Sequence, residues 1–285
     1  MPTRRGYVFV LLAAALWGTT GTAQALGPET SNPLTVGALR MVVGGVGLAV
    51  VGASSHHLHS GTWLRPPVIA GGIAMATYQP LFFAGVARTG VAAGTLVALG
   101  TAPLLAGLGA RLLRGEAATP RWIVSTAFAS IGLVLLVVAG NRPAVEPLGF
   151  LAAVGAGSAY AVYAVAAKDV IERSGPTTAM TLTFGWAALL STPLLAFGNV
   201  AWVIDEGGLR MVLYLGLITT TLAYLLFARG LAISPVGTTT TLTLVEPTVA
   251  ALLGVLVLGE QLDALSWAGL GLLVAALANL SRAGS

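Results

Sequence analysis

The sequence contains no cysteine among its 285 residues, and charged residues make up only 8% of it. The lack of cysteine excludes disulfides, thiolate metal sites and thiol nucleophiles. Apolar residues account for 56% of the chain, and the mean hydropathy is +0.89. A water-soluble domain of this length could not cover its surface with so few charges, so the composition indicates a polytopic membrane protein.

Several motifs of enzymes and pumps are also missing. The sequence has no P-loop lysine motif, no H-E-x-x-H, no G-x-S-x-G and no histidine inside a predicted span. The cluster of His56, His57 and His59 lies in a short loop. Such clusters are more often solvated than bound to a metal. We therefore expect no enzyme activity, no cofactor and no metal.

Ten apolar stretches of about 20 residues, the length that crosses ~30 Å of hydrocarbon as helix, follow one another with short loops. None shows the alternation with period two that a membrane barrel requires. The fold class predicted is an all-α polytopic membrane protein. The predicted spans are 7–26, 33–52, 67–87, 91–112, 121–139, 148–170, 177–197, 210–230, 234–257 and 264–281.

Basic residues are distributed unequally between the two sides of this arrangement. A pI near 9.9 could indicate nucleic-acid binding, but the basic residues are scattered through short loops, which is typical of charge that sets topology. Both termini are therefore expected in the cytoplasm of a bacterial-type cell, with the protein in the inner membrane. One side carries Arg4, Arg5, Arg65, Arg111, Arg114, Arg121, Lys168, Arg173, Arg229 and Arg282, and the other only Arg88, Arg142 and Arg210.

The chain repeats itself at half its length. Pro103 matches Pro247 and Glu116 matches Glu260, both at an offset of 144 residues, whereas Trp17 matches Tyr160 at 143. The copies are predicted to cover residues 1–140 and 148–285, with five spans each. An odd number of spans inverts the second copy, an arrangement common in transporters.

Polar aromatic residues near the middle of spans require partners or water, which a shared central cavity would supply. Interhelical packing is the alternative for each of them, but the set as a whole favours the cavity. Gln24 and Gln79 add amides at membrane depth. The aromatic candidates for substrate binding are Trp17, Tyr78, Tyr160, Tyr163, Trp186 and Tyr224.

The ninth span carries the clearest polar pattern. Thr239, Thr243 and Glu246 have the spacing i, i+4, i+7 of one helical face, and Pro247 follows directly. A carboxyl at this depth is a functional-site hypothesis, with coupling to transport or a structural pair with Arg40 as the open alternatives. The matching prolines Pro103 and Pro247 are candidate gating positions, since corresponding interruptions in two halves indicate the binding region.

These features together resemble EamA-type carriers of the drug/metabolite transporter superfamily. The resemblance rests on the two inverted halves, Trp17-Gly18, Pro33 with Arg40, Pro103 with Gly115-Glu116, and Glu246-Pro247 with Gly259-Glu260. By overall likeness the chain is similar to YddG-type amino-acid exporters. The resemblance implies ten helices around a central cavity and export of small metabolites without ATP.

We therefore expect a secondary transporter that exports amino acids, with aromatic and other apolar side chains favoured, by alternating access. Its partners would be the small-molecule substrate and the lipid bilayer, with no nucleic acid and a monomeric state favoured. Proton-coupled export of drugs or nucleotide-type metabolites is the alternative. A non-transporting sensor or scaffold would not require an accessible polar cavity.

Overall fold

The computed structural model describes residues 2–53, 60–138 and 146–282. Within these ranges the regular structure is entirely helical, and nine helices are long and apolar enough to cross a membrane. The shorter apolar helix Pro120–Val138 lies at the fifth predicted span, so the predicted all-α fold is confirmed. The histidine cluster and Arg142 lie outside the described residues. The helices are α1 Arg4–Ala25, α2 Pro33–Gly52, α3 Pro66–Gly90, α4 Ala93–Arg114, α5 Pro120–Val138, α6 Pro147–Ser174, α7 Pro176–Phe197, α8 Gly208–Ala232, α9 Val236–Leu258 and α10 Ala264–Ser281.

Local signals account for several of these boundaries. Proline at the first turn begins α2, α3, α6 and α7, where its fixed φ suits a helix and its missing N–H is not needed. Gly90 separates α3 from α4 with φ 83°, a left-handed conformation that glycine adopts without steric cost. The side chain of Asp263 accepts a hydrogen bond from the Ser266 N–H and caps α10.

Helix α9 is discontinuous, in contrast to the single helical face expected for Thr239, Thr243 and Glu246. Its two segments are Val236–Leu242 and Val245–Leu258, separated by a turn at Thr243 and Leu244. Pro247 has no N–H to bond the carbonyl of Thr243, which instead accepts a 2.9 Å bond from the Glu246 N–H. In α4, by contrast, Pro103 is accommodated within helical backbone.

Helix α8 contains a π-helical segment, Tyr214–Leu222. Three successive threonines bond back into it, with Thr219 and Thr220 donating to the Leu215 carbonyl and Thr221 to that of Gly216. Such segments are rare and frequently occur at functional sites. This one was not predicted from the sequence.

Small residues allow the helices to approach closely around the centre of the molecule. Gly45 of α2 lies against the Phe184 backbone of α7, and Gly18 of α1 against the Glu246 carbonyl of α9. Gly132 of α5 and Gly269 of α10 lie backbone to backbone. In a bilayer, where burial of apolar surface gives little drive, this close packing is the main source of helix association.

Candidate functional site

A small central cavity of about 50 Å³ collects most of the polar residues predicted from the sequence. Its lining comes from seven helices, α1, α2, α3, α4, α6, α8 and α9. This volume has room for water rather than for a metabolite, so the cavity is contracted in the conformation described here. The lining residues are Trp17, Arg40, Tyr78, Gln79, Ala98, Leu99, Ala102, Tyr160, Tyr224, Thr243, Leu244 and Glu246.

Aromatic rings form one wall of the cavity. The centroids of Trp17 and Tyr224 are 4.8 Å apart, and Tyr160 lies 6.5 Å from Trp17 and 6.2 Å from Tyr78. Within the described residues the indole N–H of Trp17 is buried and has no hydrogen-bond partner. The Tyr160 hydroxyl lies toward Thr243 without completing a hydrogen bond of regular geometry. The wall therefore combines apolar ring faces with polar groups that can still bind.

Arg40 is oriented by the π-helical segment of α8. Its Nε donates to Thr220 Oγ1 at 3.0 Å and its Nη2 to the Thr219 carbonyl at 3.2 Å. A guanidinium has five N–H donors, so these two bonds leave others directed elsewhere. Arg40 is thus held at the cavity wall with donor capacity remaining.

Glu246 lies in the same cavity as Arg40, but the ion pairs found among the described residues do not join them. The Glu246 side chain also has no hydrogen bond to any described residue. Of the two alternatives from the sequence, a structural Arg40–Glu246 pair is therefore not formed in this conformation. The cavity presents the guanidinium of Arg40 and the carboxyl group of Glu246, each with unused bonding capacity.

The other predicted site residues lie outside the cavity lining. Gln24 bonds within α1, to the Thr20 carbonyl. Tyr163 is fully buried against Phe184 and donates to the Met180 sulfur, whereas the Trp186 indole donates to the Trp63 carbonyl. Tyr163 and Trp186 thus pack in the surrounding shell of the bundle.

Three more predicted positions, Thr239, Pro103 and Pro247, also lie outside the lining. Thr239 is fully buried in the first segment of α9, and within the described residues its hydroxyl has no partner. Pro247 acts on the cavity indirectly, because the break that it causes places Thr243 and Leu244 in the wall.

Sequence reasoning also missed residues that the structure brings to the cavity. Ala98 and Leu244 line the cavity, and Thr219 and Thr220 of α8 accept the hydrogen bonds that hold Arg40 at its wall. The run Thr219-Thr220-Thr221 was the available signal, because adjacent hydroxyls in an apolar helix compete for backbone carbonyls.

A larger groove of about 500 Å³ lies between α3, α4 and α6. Its lining is apolar except for Arg114, Ser158 and Asp169, and it includes the exposed Leu113 and Val162. The convergent polar groups lie in the smaller central cavity, which is the better candidate for a substrate site.

The model of the EamA-like transporter family matches the chain twice, over residues 4–138 and 147–282. The chain belongs to the EamA-like transporter family. It is therefore a multi-pass membrane transporter protein built from two repeats, as the sequence resemblance indicated.

Named relatives and a solved structure agree with this assignment. The chain is 40% identical over 276 residues to the uncharacterized transporter YwfM of Bacillus subtilis (strain 168), covering 97% of this chain and 93% of the relative. It is 29% identical over 284 residues to the threonine/homoserine exporter RhtA of Escherichia coli (strain K12), covering 97% and 91%. A solved crystal structure has the same fold, with a TM-score of 0.82 at 21% identity over 97% of both chains.

Proposed function

We propose that this transporter exports amino acids from the cytoplasm across the inner membrane by alternating access. The observation that carries the proposal is the pair of opposite charges, Arg40 and Glu246, held in one cavity without bonding to each other. A zwitterion presents a carboxylate and an ammonium group, which match these two charges. The similarity to a threonine/homoserine exporter supports the same substrate class.

The side chain of the substrate would contact the aromatic wall. Trp17, Tyr78, Tyr160 and Tyr224 offer ring faces that suit aromatic and other apolar side chains. The cavity must enlarge to admit any of them, and the discontinuous α9 provides a helix that can move at its break. On this basis we expect aromatic and other apolar amino acids to be transported in preference to threonine and homoserine.

Flux into liposomes containing the purified protein tests the proposal directly. Radiolabelled phenylalanine, leucine, threonine and homoserine should each be compared with protein-free vesicles. Export of amino acids is contradicted if none of a full amino-acid panel moves faster than in the empty vesicles. A preference for threonine over phenylalanine would retain the class and reject the aromatic specificity.

Glu246→Gln tests the role of the carboxylate while keeping the shape of the side chain. We expect transport to fall roughly tenfold or more, because a hydrogen bond to a charged group contributes about 1.5–3 kcal/mol. Gln24→Ala is the matched control, since Gln24 lies outside the cavity lining and should leave flux unchanged.

Proton-coupled export of drugs or nucleotide-type metabolites is a second candidate function, favoured by the half-buried Glu246 carboxyl group, which lines the cavity without a partner among the described residues. A coupled carrier needs a group that gains and loses a proton during the cycle. Flux should then respond to an imposed pH gradient, and Glu246→Gln should abolish that response. A flux that is identical with and without the gradient excludes this candidate.

A further inference from the structure

Charged residues at one end of the bundle connect four helices, α4, α6, α8 and α9. Arg114 Nη2 contacts both carboxylate oxygens of Glu172 at 2.6 and 2.7 Å, and its Nε donates to Glu116 Oε1 at 3.2 Å. The second oxygen of Glu116 accepts a 2.8 Å bond from the Val236 N–H, the first residue of α9. Lys168 donates to three carbonyls at the C-terminal end of α8 and directly after it. We call Arg114, Glu116, Lys168 and Glu172 the Glu116 network.

Helices α4 and α9 are in close contact beside this network. A methyl group placed on Gly237 would lie 3.2 Å from the Gly107 Cα and 3.1 Å from the Trp122 ring. Every residue of the first α9 segment, Val236–Leu242, is buried. The cavity begins at Thr243, directly after this segment. Separation of the first segment of α9 from α4 would therefore open a path from the cavity to this end of the bundle.

The second repeat contains the same local structure without the connection. Gly115 and Gly259 both have left-handed φ, 68° and 72°. Glu116 N bonds to the Ala110 carbonyl and Glu260 N to that of Gly254, again 144 residues apart. Glu260, however, is exposed, and its side chain has no hydrogen bond or ion pair within the described residues. Position 258, the counterpart of Arg114, is leucine.

We infer that Glu116 is a gate residue, whose bond to the start of α9 holds the cavity closed on the side of the Glu116 network. The inference rests on the proposed function, because a gate is meaningful only for alternating access. Release of the Val236 N–H from Glu116 would allow the first α9 segment to leave α4. Arg114 and Glu172 fix the carboxylate in position, so the opening depends on breaking one charge-assisted bond rather than on loss of packing alone.

The test uses a thiol reporter, because the natural chain has no cysteine. Ala102→Cys places the reporter in the cavity wall, and Ala117→Cys, in the exposed loop beside Glu116, marks the side under study. A membrane-impermeant maleimide is added to vesicles of either orientation. The orientation in which Ala117→Cys reacts defines the side of the Glu116 network, independently of any topology prediction.

Two substitutions remove the bond from opposite ends. Glu116→Ala removes the acceptor. Val236→Pro removes the donor but also exchanges a fully buried side chain, whereas the backbone accepts the change, since proline suits the first helical position and Pro235 already has the extended conformation that a following proline requires. Val236→Ala, which keeps the N–H, measures the effect of the lost packing alone and should accelerate labelling less. In the Glu116→Ala and Val236→Pro backgrounds we expect the cysteine at position 102 to react roughly tenfold faster from the side of the Glu116 network. Loss of one charge-assisted hydrogen bond shifts the equilibrium between closed and open cavity by about this factor.

Glu260→Ala is the matched control, because it makes the same chemical change in the other repeat. It should not accelerate labelling from the side of the Glu116 network. The inference is overturned if neither Glu116→Ala nor Val236→Pro changes the labelling rate while the protein remains monodisperse, or if Glu260→Ala accelerates it equally. Labelling requires no substrate, so a failure to transport amino acids would reject the proposed function and leave this result valid.

Discussion

At the scale of single residues, Arg40 shows how a charge is kept available inside a hydrophobic bundle. Two of its donors are satisfied by Thr220 and by the Thr219 carbonyl, and the side chain still lines the cavity. A buried charge without any partner would be very costly. The neutral hydroxyl and carbonyl groups of α8 reduce that cost. They leave the positive charge of Arg40 uncompensated, whereas a carboxylate partner would neutralise it.

Arg40→Lys tests this arrangement, because lysine keeps the charge and loses the planar fork of donors. We expect KM for the transported amino acid to rise roughly tenfold, since an ammonium cannot bond Thr219 and Thr220 while also meeting a substrate carboxylate. Initial rates in proteoliposomes at varied substrate concentration give the value. An unchanged KM would show that the fork is not used.

Lys168 is a structural cation at the same scale. Its ammonium group is buried and donates to the carbonyls of Leu231 and Ala232, in the last turn of α8, and of Ser234, just beyond it, at 2.7, 3.1 and 3.2 Å. A cation at a helix C-terminus satisfies carbonyls that have no intrahelical donor.

Lys168→Met should therefore lower the free energy of unfolding by about 2–3 kcal/mol, because three buried carbonyls lose their donor. The measurement is thermal unfolding in detergent. Arg229→Met, at an exposed position of α8, is the control and should leave the melting temperature nearly unchanged. Equal effects of the two substitutions would contradict this role.

At the scale of helices, the two repeats differ where their sequences are most alike. Pro103 and Pro247 occupy equivalent positions, yet α4 remains helical at its proline and α9 breaks. Thr101, two residues before Pro103, bonds back to the Val97 carbonyl in a regular helix. In the second repeat the position of Thr101 is taken by Val245, and Thr243, whose counterpart in α4 is Leu99, donates to the Thr240 carbonyl within the turn. The same proline therefore has different consequences in two contexts of local hydrogen bonding.

Pro247→Ala should restore the N–H that can bond the Thr243 carbonyl and make α9 more continuous. We expect transport to fall roughly tenfold, because a regular helix would move Thr243 and Leu244 out of the cavity wall and make the break in α9 more rigid. Pro103→Ala is the matched control in the other repeat and should retain most of the flux. Equal losses in the two variants would show that the break itself is unimportant.

These helices also show how far the sequence can predict the structure. Hydropathy located all ten helices, and the predicted spans 33–52 and 264–281 coincide with α2 and α10. This works because backbone N–H and C=O groups in lipid must bond within their own segment, which a helix allows. The break in α9 and the π-helical segment of α8 escaped prediction, since they depend on which hydroxyl bonds which carbonyl. Tyr163 and Trp186 were expected to line the cavity but lie outside its lining, for another reason. Span depth is readable from sequence, but the direction in which a side chain points is set by neighbouring helices.

At the scale of the whole molecule, the topology remains a prediction from loop charge. Ten basic residues on one side against three on the other predict that both termini face the cytoplasm. A protease site added at either terminus should be cut in inside-out vesicles and protected in right-side-out vesicles. Cleavage of only one terminus would contradict an even number of crossings, and protection of both in inside-out vesicles would reverse the orientation.

The π-helical segment of α8 also bears on how the two halves diverged. The offset between them changes from 143 at Trp17 and Tyr160 to 144 at Leu81 and Leu225, so the second half gained one residue, or the first lost one, between these points. A π-helix accommodates an additional residue by widening its turns, and Tyr214–Leu222 ends three residues before Leu225. The same segment supplies the two bonds that hold Arg40. The π-helical segment thus lies inside the interval in which the two halves differ in length, and the cation in the cavity is held by a stretch of α8 whose helical geometry differs from that of a regular α-helix.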